Sequence, residues 1–425
     1  MTDLPDFEQM WRELTPIGRS ASSGGYNRLP WHAAELELRA WFREAATARG
    51  LEVEEDPFGN LVAWWTPEVV ATLPGLPDPP DQARSARGPA VLTGSHLDSV
   101  LDGGAYDGPL GVVSSFAALD LMRSRGVVPD RRLGVAAFVE EEGSRFGRAC
   151  LGSRLAVGAT KWADAAELTD REGIRLGDVI EGGESRMLDG VATYVELHVE
   201  QGRGLVDLDA PVGVHDAIWP HGRYRYDIAG RADHAGTTRM EDRIDPMLTY
   251  AMTALAANKQ ARVQGQRATF GRIDVRPNGT NAVPSHVTAW LDARAESDAA
   301  LTALVGEIER QATERADRDG TTVTVTAESV SGEVTFDVDL RDELSGRLGG
   351  VPILPTQAGH DAGVLQDAGI PTAMLFVRNP SGVSHSPYES AEMADCLAGV
   401  TALADALTGL VTAQVTAQVT AQVTE

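Results

Sequence analysis

The stretch AVLTGSHLDSV at residues 90–100 decides the fold class. Its apolar run predicts a buried strand, and His96 and Asp98 emerge where that strand ends. Apolar residues at helical spacing then predict a helix over residues 110–125. A strand followed by a helix, with potential metal-binding side chains at the strand end, is typical of α/β proteins.

Two later segments repeat this pattern. RLGVAAFVEEEG (132–143) predicts a second strand that carries Glu141 and Glu142 at its C-terminal end, and VATYVELHVEQG (191–202) predicts a third. Open α/β folds place their sites at the carboxyl ends of strands in a mostly parallel sheet. We therefore expect an α/β domain with its chemistry at this edge.

Metal-ligand residue types occur in five separate segments. These are GSHLDS (94–99), GGAYDGPLG (103–111), EEEGSRFG (140–147), ELHVEQG (196–202) and GVSHSPYE (382–389). A pair of divalent cations needs a bridging carboxylate, carboxylate or imidazole ligands on each side, and a free carboxylate that takes a proton from water. Together the segments predict a two-metal hydrolase site, with Glu141 as the free carboxylate. The candidate ligands are His96, Asp107, Glu142, His198 and His385.

The chain of 425 residues is too long for one compact core, so two domains are expected. After Pro211 the pattern changes to β-α-β-β-α-β, which predicts a small inserted α+β domain. The predicted domains are residues 1–211 and 330–410 for the first domain, 212–329 for the insert, and 411–425 for a low-complexity TAQV tail. A Pro-rich loop is predicted at 66–89, after a strand, a PFGN turn and a strand within 51–65.

Composition limits the partners. The net charge of -25 argues against nucleic acid or an anionic membrane, since phosphate binding needs clustered Lys and Arg. We find no apolar span near the ~20 residues of a membrane helix and no secretory leader, so the predicted location is the cytoplasm. Cys150 and Cys396 are predicted to be small buried hydrophobic residues, and His32, His215, His221 and His286 to be structural or surface histidines.

The five motifs, in this order and with this insert, resemble the M20 metallopeptidase family over residues 10–407. Within it they resemble the amidase branch of N-carbamoyl-L-amino acid hydrolases, β-ureidopropionases and allantoate amidohydrolases. The resemblance implies a zinc-exopeptidase-like catalytic domain, an inserted lid and dimerisation domain, and a homodimer formed through that lid. It also implies two divalent metal ions per subunit, Zn²⁺ or Mn²⁺, with Co²⁺ or Ni²⁺ possible.

The resemblance also assigns metal ligands. It makes Asp107 the bridging carboxylate, with His96 and His198 on one ion and Glu142 and His385 on the other. Neighbouring carboxylates on a strand point to opposite faces, and the family pattern makes Glu142 the ligand and Glu141 the general base. Asp98 is expected to accept the other ring N–H of His96.

Substrate contacts are implied in the same way. Arg294 is a candidate clamp for a substrate carboxylate because its guanidinium offers two parallel donors. Asn281 matches a motif that contacts the same group, and Gln201 and His360 fall at family site positions. His234 is implied as the oxyanion donor, supplied by the partner subunit.

His198 directs the functional prediction. Peptidase and deacylase members carry an acidic ligand at this position, so histidine favours a ureido compound, with allantoate slightly preferred. The alternatives are an N-carbamoyl-L-amino acid hydrolase or β-ureidopropionase, then an N-formimino or N-acyl amino acid amidohydrolase, and last a catalytically silent binding protein. Gln357 departs from the small, serine-containing turn that members often have before GHDA.

Overall fold

The computed structural model describes residues 6–67 and 89–412, so most of the predicted 66–89 loop and of the 411–425 tail lies outside the described residues. The strands are β1 (Glu52–Glu55), β2 (Leu61–Trp65), β3 (Ala90–His96), β4 (Leu133–Phe138), β5 (Val191–Val199), β6 (Val212–Ile218), β7 (His221–Ala229), β8 (Asp233–His234), β9 (Arg267–Arg276), β10 (Ala282–Val283), β11 (His286–Arg294), β12 (Thr322–Ser331), β13 (Val334–Thr335), β14 (Ile353–Thr356) and β15 (Thr372–Val377). The helices are α1 (Phe7–Leu14), α2 (Ala33–Ala48), α3 (Pro109–Ser124), α4 (Leu151–Ala156), α5 (Trp162–Ala165), α6 (Gly204–Asp207), α7 (Pro246–Gln264), α8 (Asp298–Asp319), α9 (Val338–Arg347), α10 (Asp361–Asp367) and α11 (Met393–Thr412), with 3₁₀ turns at Leu176–Asp178 and Met240–Asp242.

The described chain forms two compact units. Unit 1 comprises the residues up to Asp216 and from Thr335 onward, and unit 2 is Ala217–Val334. The main sheet of unit 1 has the strand order β1-β2-β4-β3-β5-β15-β6-β13, with β14 beside β6. The four central strands β4, β3, β5 and β15 run parallel, and antiparallel strands flank them. This confirms the predicted α/β class.

Strand β3 shows why the sequence folds in this way. Each of its residues is buried, as expected for a central strand covered on both faces. Gly94 lies in β3 with φ +141°, and a Cβ there would overlap the main chain of Ala136 in β4. Only glycine allows this close approach. Because the four central strands are parallel, their carboxyl ends all lie at one edge of the sheet.

Helix α11 corrects one prediction from the sequence. Among the described residues it is the one helix long and apolar enough, by length and composition, to cross a membrane. About 61% of its most apolar window is buried in the structure. Cys396, Leu403 and Leu407 are fully buried in the core of unit 1, and the helix packs against α3. The apolar side chains of α11 therefore pack in the core of unit 1.

Unit 2 has a four-stranded antiparallel sheet in the order β12-β7-β11-β9 and two helices, α7 and α8, which pack together. This is the predicted β-α-β-β-α-β arrangement, with the short strands β8 and β10 added as a separate pair. Burial alternates along β11. Its buried side chains, such as Leu291, contribute to the apolar core, and Arg294 lies on the opposite face of the sheet.

Candidate metal centre

Two histidines reach the carboxyl-end edge of the unit 1 sheet from adjacent strands. His96 is the last residue of β3, and His198 lies near the end of β5, which pairs with β3 in parallel. Both side chains are fully buried, and their ring centroids are 5.8 Å apart. The alternation of β5 places Glu196 and His198 on the same face of the strand.

Asp107 lies between two groups of side chains. Its Oδ1 is 3.4 Å from Nε2 of His96 and 3.2 Å from Nε2 of His198, whereas its Oδ2 is 3.4 Å from Nε2 of His385. His385 Nε2 is also 3.4 Å from Oε2 of Glu142. Within each group, one donor atom per residue lies within 4.8 Å of the others. The structure thus brings together both ligand sets that the resemblance implies, with Asp107 in each.

The chemistry of these atoms fits a pair of cations. His96 Nε2, His198 Nε2 and Glu142 Oε1 are buried and lack a hydrogen-bond partner among the described residues. Buried polar atoms are normally paired, so such a cluster needs an explanation. Imidazole nitrogens and carboxylate oxygens are the mixed ligands that zinc and manganese accept. A metal ion in each set would satisfy all three atoms.

The pKa shifts of these side chains also favour a bound pair of cations. Burial lowers the pKa of His96, but the neighbouring Glu141 and Asp107 outweigh it and raise that pKa well above its usual range. Burial also lowers the pKa of His385, and the carboxylates of Asp107 and Glu142 raise it to about 9. Burial raises the pKa of Asp107, but the three histidines around it lower it well below its usual value. The cluster therefore favours positive charge at this position, and a pair of cations would supply it.

The loop that carries Asp107 is held by Glu389, a residue to which the sequence analysis gave no role. Glu389 Oε1 accepts the N–H groups of Tyr106 at 2.8 Å and Asp107 at 3.0 Å. The side chain is buried, and a Cβ on Gly104 would overlap it. Glu389 lies four residues after His385 in the SHSPYE motif, so the motif itself was the available signal.

Glu141 and Glu142 lie in a turn, which corrects the argument made from strand alternation. Strand β4 ends at Phe138, and Glu140 has a left-handed φ of +55°. The carboxylate of Asp98 holds this turn, since it accepts the N–H of Glu141 at 3.3 Å and that of Glu142 at 3.2 Å. The turn geometry therefore separates the two glutamates.

Asp98 also contacts His96, through its carboxylate and through its main chain. Nδ1 of His96 is 3.1 Å from the carbonyl oxygen of Asp98 and 3.5 Å from its Oδ1. Nδ1 of the ring thus faces both the main-chain carbonyl of Asp98 and the carboxylate predicted from the sequence. That carboxylate also holds the turn that carries the two glutamates.

The side chain of Glu141 is buried and contacts His96 and Cys150. One of its oxygens lies 3.7 Å from Nε2 of His96, and the thiol of Cys150 donates to the other at 3.5 Å. Burial raises the pKa of Glu141 well above its usual value, against the opposing effect of His96. A carboxyl group with a raised pKa beside a candidate metal pair suits a general base. Cys150 and Cys396 are both free and buried, as predicted.

Gln201 and His360 contact the ligand residues themselves. Gln201 Nε2 donates to Asp107 Oδ2 at 2.7 Å and to Ser384 Oγ at 3.1 Å. The His360 ring lies 4.6 Å from that of His198. Burial, followed by the charge of His198, lowers the pKa of His360 well below its usual range. A neutral His360, together with His198 and Glu196, also forms a third group with the spacing of metal ligands.

Within unit 2, the structure brings His234 and Asn281 together. Strand β8 pairs with β10, and the N–H of Ala235 donates to the carbonyl of Asn281 at 2.9 Å. Nδ1 of His234 accepts the N–H groups of Gly236 at 3.0 Å and Thr237 at 3.1 Å. A neutral ring in this arrangement carries its proton on Nε2, so this exposed side chain offers an N–H donor.

Arg294 ends strand β11 in unit 2. Its Nε and Nη2 donate to the two carboxylate oxygens of Asp292 at 2.8 and 3.2 Å. Asp292 and Arg294 are two positions apart on the strand, so their side chains project from the same face. Asp292 is a further residue that the sequence analysis did not single out.

The fold and this site define a class, an α/β protein with a candidate two-metal centre and an inserted α+β unit. The family model for peptidase family M20/M25/M40 matches residues 92–409, well over half of the chain. The chain therefore belongs to this family. The names of its relatives place it in the amidase branch, whose members hydrolyse C–N bonds other than peptide bonds.

Similar proteins span nearly the whole chain. An N-carbamoyl-L-amino acid amidohydrolase of Geobacillus stearothermophilus is 34% identical, covering 93% of this chain and 96% of its own length. The allantoate amidohydrolase of Escherichia coli K12 is 29% identical, with 94% and 97% covered. A solved hydantoinase/carbamoylase family amidase from Burkholderia multivorans has a TM-score of 0.80 at 26% identity, with 96% and 98% covered. The structure of AtUAH in complex with (S)-hydroxyglycine gives 0.82 at 25%, with the same coverage.

Proposed function

We propose that this amidohydrolase uses two divalent metal ions to cleave a C–N bond of a ureido acid, with allantoate as the first candidate substrate. The observation that carries the proposal is the position of Asp107, whose two carboxylate oxygens each face a separate set of metal-ligand side chains. Histidine at position 198 favours the ureido branch. The 34% identity to a carbamoyl amino acid enzyme makes an N-carbamoyl-L-amino acid the second candidate.

In the proposed mechanism, Glu142 is a metal ligand and Glu141 transfers the proton. Asp107 would bridge the two ions, with His96 and His198 holding one and Glu142 and His385 holding the other. When bound, the cations would acidify a water molecule and polarise the scissile carbonyl. Glu141 removes the proton from the attacking water and passes it to the leaving nitrogen. The burial of Glu141 supports this role, since a dry carboxyl group holds a proton more readily.

The residues of unit 2 are assigned to the substrate. His234 of the partner subunit supplies an Nε2–H donor to the oxyanion, Arg294 clamps the substrate carboxylate, and Asn281 contacts the same group. In unit 1, Gln201 and His360 complete the substrate contacts. Replacing Arg294 with lysine should raise KM for carboxylate-bearing substrates more than it lowers kcat, because lysine cannot donate two parallel bonds.

We also propose a homodimer formed through unit 2 and a cytoplasmic location. Helix α7 exposes apolar side chains at helical spacing, among them Leu248, Met252 and Leu255, which are 46%, 42% and 66% exposed. Such a stripe is typical of a surface that pairs with another protein. Two free, buried cysteines are consistent with a reducing compartment.

Ammonia release tests the substrate. Protein reconstituted with Zn²⁺, Mn²⁺, Co²⁺ or Ni²⁺ is assayed with allantoate, N-carbamoyl-β-alanine, several N-carbamoyl-L-amino acids and N-formimino-L-glutamate. A separate amine assay covers N-acetyl and N-formyl amino acids. Turnover of one ureido compound at a kcat/KM of about 10⁴ M⁻¹s⁻¹ or more supports the proposal. Activity restricted to N-acyl compounds contradicts it while leaving the metal site in place.

The variant Glu141→Gln separates an enzyme from a binding protein. Glutamine has nearly the same shape but cannot take the proton. We expect turnover to fall by at least about 100-fold with the metal content unchanged. Unchanged turnover would exclude Glu141 as the base.

A further inference from the structure

Asn60 joins three segments of unit 1 through one buried side chain. Its Oδ1 accepts the N–H of Val139 at 3.1 Å, and its Nδ2 donates to the carbonyl of Gly152 at 3.0 Å and to Oδ2 of Asp56 at 2.8 Å. The residue has 0% exposure. All these bonds therefore form away from water, where losing one is expensive.

These contacts extend the sheet beyond its last strand pair. The ladder between β2 and β4 ends where Leu61 faces Ala137, and Asn60 is the next residue. Its carboxamide then accepts from one chain segment and donates to another, as a main-chain peptide group does between two strands. A buried carboxylate could accept the Val139 bond but could not donate to Gly152, so the amide is chemically required.

The segment held in this way leads directly to Glu141. Main-chain N–H groups of Cys150, Leu151 and Gly152 donate to the carbonyls of Glu141, Glu140 and Val139 at 2.6, 3.0 and 3.0 Å. A Cβ on Gly152 would overlap Asn60 Oδ1 and the carbonyl of Val139. The main chain between Val139 and Glu141 is thus fixed on one side by the start of α4 and on the other by Asn60.

Asn60 is itself pre-oriented by the turn that precedes it. Asp56 Oδ1 accepts the N–H groups of Phe58 at 3.0 Å and of Asn60 at 2.9 Å, and Gly59 takes the left-handed φ of +95° that closes the turn. The PFGN segment, which the sequence identified only as a turn between strands, therefore presents a rigid amide to the segment carrying Glu141.

We propose that Asn60 is a positioning residue for the general base Glu141. The inference rests on the proposed function, in which Glu141 takes the proton from water. Asn60 fixes the main chain two residues before the base, so its loss displaces the carboxylate from the attacking water. Displacements of about 1 Å lower rates by about 100-fold.

A double-mutant cycle tests this role. Asn60→Asp removes the amide donors at constant shape, and Asn60→Ser is the milder variant if the buried charge prevents folding. Each is made alone and with Glu141→Gln. We expect the Asn60 variant that folds to lower kcat at least tenfold, with KM within about twofold and the metal content of wild type. In the Glu141→Gln background the same change should lower the residual kcat by less than about twofold, since the two residues act as one unit.

The matched control is Ser345→Ala. Ser345 is also buried, and its Oγ donates to the carbonyl of Val351 at 3.0 Å, away from the metal-ligand residues. This control should lower the melting temperature without changing kcat. Equal effects of the Asn60 change in both backgrounds, unchanged kcat, or a rate loss explained by lost metal would overturn the inference. Wild-type turnover in Glu141→Gln alone would instead refute the base assigned under the proposed function.

Discussion

The backbone of Gly108 lies directly against the imidazole of His96. A Cβ built on Gly108 would overlap three atoms of the ring, and the residue has a φ of +85°. Gly108 follows Asp107 in the chain. The same loop therefore supplies the carboxylate common to both candidate ligand sets and supports His96, which belongs to the set with His198. The orientation of His96 depends on a residue with no side chain.

Gly108→Ala should therefore damage the metal site. The new methyl group would displace the His96 ring, and we expect at least a tenfold loss of kcat with reduced metal content by elemental analysis. Gly50→Ala is the matched control, since Gly50 has a φ of +66° but nothing within 4 Å of a built Cβ. It should cost about 1–2 kcal/mol of stability through the left-handed backbone alone. Equal metal loss in both variants would contradict this explanation.

Removing the metals should lower the stability of the protein. Bound cations would give ligand partners to the buried atoms of His96, His198 and Glu142, which lack hydrogen bonds among the described residues. Ligands at 100 times their Kd stabilise the folded state by about 2.7 kcal/mol. We expect chelation to lower the melting temperature and re-addition of Zn²⁺ or Mn²⁺ to restore it, as followed by calorimetry. A melting temperature that chelation leaves unchanged would count against a metal centre here.

Glu142→Gln should distinguish the two ions. Glu142 belongs to only one of the sets that share Asp107. We expect the variant to retain about one metal ion per chain where the wild type binds about two, since a neutral amide is a poorer ligand than a carboxylate. Elemental analysis after gel filtration measures the ratio. Retention of both ions would show that Glu142 is not a ligand.

His215 should make the stability fall in mild acid. Burial lowers the pKa of His215 from 6.5 to about 3, so the folded protein keeps the ring neutral. Below pH 6.5 the unfolded chain binds a proton that the folded chain does not. The free energy of unfolding then decreases by up to about 1.4 kcal/mol per pH unit between pH 6.5 and 3.

Denaturant titrations at several pH values measure this slope. His215→Asn should flatten it, because asparagine keeps an N–H donor for the carbonyl of Leu354 but does not titrate. An unaltered slope in His215→Asn would mean that other groups cause the acid sensitivity.

Leu255→Glu should dissociate the proposed dimer. Leu255 is 66% exposed on the apolar stripe of α7, and a buried, unpaired charge at an interface is strongly unfavourable. Sedimentation should show a monomer for this variant and a dimer for the wild type. Val128→Glu, at a residue of unit 1 that is 74% exposed, should remain dimeric. A dimeric Leu255→Glu protein would place the interface elsewhere.

Local patterns in the sequence were enough to predict the strands that lead to the site and the residue types at their ends. Apolar runs predicted β3, β4 and β5, and the motifs predicted His96, Asp107 and His198 as candidate ligands. The contacts that hold these residues were not predictable, because they join distant segments. Glu389 accepts the N–H of Asp107 across 282 positions, and Asn60 accepts that of Val139 across 79.

Two errors have physical causes. The strand that leads to Glu141 ends early because Glu140 takes a left-handed conformation, which no apolar pattern reveals. The apolar span of α11 was missed because small residues such as Gly399 and Ala402 interrupt its larger side chains, although they are buried with them. The early end of the strand depends on tertiary packing, whereas the apolar character of α11 follows from its composition alone.

The placement of β6 and β13 bears on how this architecture diversifies. The chain leaves unit 1 near the end of β6 and returns through β13, and these two strands are hydrogen-bonded neighbours in one sheet. The main chain of Phe336 bonds that of Asp216 at 3.0 Å, so the exit and the re-entry points are adjacent. A short connection between these neighbouring strands could replace the insert without removing a strand of the parent sheet. Evolution can therefore exchange or reshape the inserted module while the candidate metal ligands, which all lie in unit 1, stay unchanged.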